Sequence, residues 1–134
     1  MSEDLTELLS RVETATGSDV RLDGDIAVAL GVFRPVQARH ERVFGNSWHV
    51  KLTGSVMFMA PAYTTSLDAA LALVERVLPG AGWLCGVAQD HYMAEIFRTR
   101  YVSGVIPRMG YAEAPTPALA LLAAMLKALE ANHG

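Results

Sequence analysis

Leu5, Leu8, Leu9 and Val12 recur at helical spacing on one face, and the pattern stops at Gly17. It predicts an amphipathic helix over residues 3–16 with a glycine C-cap. Asp19 offers an N-cap to a second helix whose apolar stripe is Leu22, Ile26, Ala29 and Leu30, ending at Gly31. The two form a helical hairpin. From Val32 to Ala60 the helical period is lost. After a turn at Gly45-Asn46-Ser47, the segment Trp48-His49-Val50-Lys51-Leu52 alternates apolar and polar residues, which predicts one strand. Val56 to Met59 is a short apolar run, and periodicity does not separate an edge strand from an irregular segment there.

In the second half, Thr65 is placed as an N-cap with Asp68 three residues on, ahead of Leu67, Ala70, Leu71, Val74 and Leu78; Pro79-Gly80 ends that helix. Trp83 to Ala88, Tyr92 to Arg98 and Tyr101 to Ile106 then read as a three-strand meander. A turn over Pro107 to Pro115 leads to Thr116-Pro117, an N-cap followed by proline at the first helical position, and to a helix over residues 117–131. Leucines, Met125 and alanines leave this last helix a thin polar face. That implies burial within the monomer, the favoured reading for an alanine-rich helix, or a homodimer contact through residues 117–131.

The elements add up to an α+β protein, an α-β-α sandwich with a small, mainly antiparallel sheet of about four strands and about four helices. It is a single domain over residues 1–134: the hairpin at 1–31, an insert with a strand at 32–60, and helix, three strands, helix at 61–134.

Composition agrees with one folded core, since 51% of the 134 residues are hydrophobic and 19% charged. The most apolar run, Ala118 to Leu126, is about half of what spans a bilayer, so no membrane role is expected. The acidic start, Ser2-Glu3-Asp4, is unlike a secretory leader and points to the cytoplasm. Cys85 is the single cysteine, which excludes an internal disulfide and reads as a small buried hydrophobe. Charge is uneven. Residues 1–31 carry seven acids against Arg11 and Arg21, whereas residues 32–60 carry Arg34, Arg39, Arg42 and Lys51 against Glu41. That polarity either closes internally, the favoured reading, or orients a partner.

Little in the chain points to catalysis. His40, His49, His91 and His133 include no pair at helix-face spacing, so no metal site is expected. His91 beside Asp90 reads as a hairpin turn, and Asp23 and Asp25 as solvated acids on opposite sides of a helix. There is no phosphate-binding glycine loop and no nucleophile elbow, so a non-enzymatic protein without a cofactor is expected. The order helix, three strands, helix is that of a double-stranded RNA-binding domain, but the last helix opens without a cation until Lys127. Arg98, Arg100 and Arg108, with Arg34, Arg39, Arg42 and Lys51, are the candidate interaction surface. Trp48, Tyr63 and Tyr111 are the candidate pocket aromatics.

Four blocks carry a family likeness: Leu5 to Gly17, Leu22 to Gly31, Pro61-Ala-Tyr-Thr-Thr-Ser-Leu-Asp-Ala-Ala-Leu71, and Ala114-Pro-Thr-Pro-Ala-Leu-Ala-Leu122. Together they resemble the phage ABA sandwich domain, small proteins of phages and prophages with no assigned role. The resemblance implies an α-β-α arrangement in bacterial or phage cytoplasm and brings no catalytic residues with it. The leading expectation is a phage or prophage protein that binds another protein, such as a host defence or regulatory component. The alternatives are a nucleic-acid binder using the arginines above, and a small-molecule binder or enzyme with its pocket near the three aromatics.

Overall fold

The computed structural model describes residues 2–32, 40–44, 47–50, 57–98 and 108–133. Helix α1 (Ser2–Thr14) buries Leu5, Leu8 and Val12 of the expected stripe and half-buries its fourth member, Leu9. In α2 (Val20–Ala29), the N-cap Asp19 accepts a hydrogen bond from the backbone N–H of Leu22 at 3.0 Å. At the other end Gly31 takes φ 76°, and the N–H of Val32 returns to the carbonyl of Ala27, so the glycine is the left-handed stop that the sequence implied. Arg11 donates to Asp25 at 2.7 Å and ties the two helices together.

The segment expected to hold one strand, with the run at Val56 to Met59 left open, holds three among its described residues: β1 (His40–Phe44), β2 (Ser47–Val50) and β3 (Met57–Met59), paired antiparallel in the order β1-β2-β3. The apolar run at Met57 is thus a strand. Helix α3 (Leu67–Val77) starts one residue later than expected. Its N-cap is Ser66, whose Oγ accepts from the N–H of Ala69 at 3.1 Å, while Thr65 belongs to the preceding turn, its N–H bonded to the carbonyl of Ala62.

A second antiparallel sheet has the order β4-β5-β6, from β4 (Ala81–Ala88), β5 (His91–Arg98) and β6 (Arg108–Ala114). The first two strands fall where alternation put them. The third does not: β6 occupies residues assigned to a turn, and the expected strand Tyr101–Ile106 lies outside the described residues. Helix α4 (Pro117–His133) begins at the expected cap, with Thr116 Oγ1 accepting from the N–H of Leu119 at 3.2 Å.

The class is therefore α+β: the described residues form four helices and small antiparallel sheets, the sheet against α4 having three strands among them instead of about four. Helix α4 lies at its centre. It packs on β5 and β6 and is flanked by α1 and α3, and each residue from Ala118 to Leu126 is at most 1% exposed. The helix that looked too apolar for its own surface is enclosed by its own chain. Gly110 permits the closest approach, since a Cβ there would stand 2.2 Å from the carbonyl oxygen of Ala124. None of the described helices is long and apolar enough to cross a membrane.

A candidate interaction surface on the sheet β4-β5-β6

Strand pairing assigns each side chain to a face, because residues opposite one another share it. Ala94 pairs with Cys85 and Ala112, Ile96 with Trp83 and Gly110, and Tyr92 with Val87 and Ala114. Ala94, Ile96, Ala112 and Ala114 are buried, so this face is the one α4 covers. The outer face carries Leu84, His91, Met93, Glu95, Phe97, Tyr111 and Glu113.

A chain of polar contacts runs along the outer face. His91 opens β5 immediately after the turn at Gln89 and Asp90, in which Gln89 takes φ 55°. Its Nδ1 faces Asp90 Oδ1 at 2.9 Å and its Nε2 faces Glu113 Oε1 at 2.6 Å. Tyr111 donates its hydroxyl to the other Glu113 oxygen at 2.6 Å. The Arg108 guanidinium stacks 4.9 Å above the Tyr111 ring and pairs with Glu95. The carboxylate of Asp90, and then that of Glu113, raise the His91 pKa above 6.5, since both ring nitrogens then serve as donors to anions. Glu113 is held below its ordinary value by the Tyr111 hydroxyl first and by His91 second. With both nitrogens engaged by carboxylates, the imidazole clasps β5 to β6.

Strand β4 is of another kind. It has no charged residue in eight, and it forms one margin of the sheet. Among the described residues no strand pairs with its free side. Helix α4 barely reaches it, which leaves Trp83 39% and Val87 73% exposed on the helix side, while Leu84 is 40% exposed on the outer side. The opposite margin, β6, carries Arg108 and Glu113. Charges of that kind protect an edge strand from pairing with other chains, and β4 lacks them. Cys85 lies mid-strand, a half-buried free thiol whose pKa is raised by burial.

The candidates named from the sequence are dispersed. Arg34, Arg39, Lys51 and Arg100 lie outside the described residues, and Arg42 and Trp48 fall in β1 and β2. Arg98 is exposed at the end of β5, and Arg108 is engaged with Glu95 and Tyr111. Tyr63 is 3% exposed in the core, its hydroxyl raised in pKa by burial, whereas Tyr111 lies on the outer face. Asp23 is not solvated as expected: it is buried, and its Oδ1 accepts the N–H of Thr64 at 2.7 Å.

The sequence reading missed Trp83, Leu84 and Val87 as a surface, and Glu113 as the partner of His91. The absence of charge from Ala81 to Ala88 was the available signal, but it acquires meaning only once β4 is seen to be a margin. Among the described residues no three of His, Cys, Asp and Glu are grouped to hold a metal ion. No known family model, curated protein or solved structure matches this chain.

Proposed function

We propose that this is a non-enzymatic binding protein that recognises another protein through β4 and the outer face of its sheet. The observation that carries the reading is an uncharged edge strand of eight residues with Trp83, Leu84 and Val87 exposed. Exposed apolar groups beside unpaired backbone donors and acceptors are what strand addition by a partner uses. The double engagement of His91 supports a structural role for the one imidazole of this sheet. The likeness to phage ABA sandwich proteins supports a phage or prophage setting, a cytoplasmic location and a host defence or regulatory component as the target. Burial of the first turns of α4 favours protein over duplex RNA, because no cation there is free to meet phosphates.

Affinity capture from bacterial lysate with the native chain and with Leu84→Glu tests it. A stoichiometric protein retained by the native chain and lost with Leu84→Glu is the expected result. Repeated capture of nothing, or capture indifferent to the substitution, would overturn the reading.

A further inference from the structure

We infer that β4 pairs antiparallel with β4 of a second copy, about a two-fold axis at Cys85, joining two three-stranded sheets into one of six. The inference rests on the reading of β4 as a protein-binding edge: a second copy takes the edge itself, which leaves the outer face to the other protein. A two-fold perpendicular to a sheet brings a strand against itself in the antiparallel sense and keeps like faces together. Such pairing lays the strand against its own reversed sequence, so an isolated charge near the axis would meet its own copy; Ala81 to Ala88 contains none.

The side chains also select a register. Centred on Cys85, the pairing puts Trp83 of each copy opposite Val87 of the other, on the side that α4 leaves uncovered. Both are among the exposed large apolar side chains of the described residues, and an aromatic beside a β-branched residue is a favourable cross-strand pair. On the outer face the same register sets Leu84 opposite Gly86, where there is no side chain to collide with. The strand thus holds a bulky group for each exposed site and a glycine for the remaining one. The opposite margin differs in carrying Arg108 and Glu113, both engaged within the chain by Glu95, Tyr111 and His91. In the dimer the two outer faces run on as a single surface for a further protein.

Sedimentation velocity over a concentration series of the native chain and of Val87→Lys tests the seam. Val87 is 73% exposed, so the lysine is accommodated in the monomer, and an unchanged melting temperature verifies that. The expected result is a native dimer whose dissociation constant rises about tenfold or more with Val87→Lys. A native chain that stays monomeric, or a dimer indifferent to the lysine, overturns the inference. A monomer that still captures a protein through Leu84 would leave the binding reading in place, so the two failures are distinguishable. The register has its own test. Directly opposed cysteines fall within disulfide reach, so diamide, as oxidant, should join two native chains through Cys85 and leave Cys85→Ser monomeric on a denaturing gel. A native dimer that diamide does not crosslink overturns the Cys85-centred register.

Discussion

At the level of single residues, backbone proximity and buried polarity decide the outcome of substitution. Gly110 lies on the face of β6 that meets α4, with the carbonyl of Ala124 and the N–H of Ala128 around the space a Cβ would take. Both obstacles are main chain and cannot swing aside. Gly110→Ala should therefore destabilise by about 3 kcal/mol in chemical denaturation. Gly82 is a gentler case, since the obstacle is the ring of Phe97. Gly82→Ala should be partly rescued by Phe97→Ala in a double-mutant cycle. At Asp23 the carboxylate is buried, and desolvation raises its pKa above 3.8 against the opposing hydrogen bonds of Thr64. A raised folded pKa means that its contribution to stability is present at acid pH and is lost as the pH rises through that value. At neutral pH, Asp23→Ala should cost about 2 kcal/mol by orphaning the Thr64 N–H. Asp23→Asn keeps an acceptor without the charge and should cost much less.

Among the elements, those set by local chemistry were legible in the sequence. The Asp19 and Thr116 caps, the glycine stop at Gly31 and the strands that became β4 and β5 all rest on groups a few residues apart. Strand β6 was not legible. Arg108-Met-Gly-Tyr-Ala-Glu-Ala114 has a glycine and two alanines, and its extended form comes from pairing with β5 and from the α4 backbone lying against Gly110. The burial of Asp23 was hidden for a similar reason: its partner, Thr64, is 41 positions away. The cap of α3 moved from Thr65 to Ser66 because Thr65 closes a turn, a distinction that two adjacent hydroxyl residues do not reveal. The surface on β4 depends on strand order, which side-chain alternation does not encode. For α4, enclosure on every side makes each large side chain costly to trim, and Leu122→Ala should lose about 3 kcal/mol in thermal or chemical unfolding.

For the whole molecule, pH acts through the clasp between β5 and β6. His91 titrates above 6.5 when folded, so its contribution is complete below that value and is lost as the pH rises through the raised folded pKa. Glu113, lowered from 4.5, contributes above that value and loses its contribution as the pH falls through its folded pKa. The clasp is strongest between the two. Melting temperatures from about pH 6 to 9 should decline for the native chain, and His91→Asn should flatten that decline. A decline unchanged in His91→Asn would show that the clasp is not its source.

The enclosure of α4 also governs the order in which the chain can become a protein. Helix α1 emerges from the ribosome ahead of the other described elements, yet it packs against α4, and Thr6 reaches Glu130 across 124 positions of chain. Until α4 has been made, Leu5, Leu8 and Val12 have at most the partial cover of α2, and closing so long a loop is slow. Of the described elements, the one synthesised first is among the last to be housed, and a nascent chain carries that sticky face until α4 has been made.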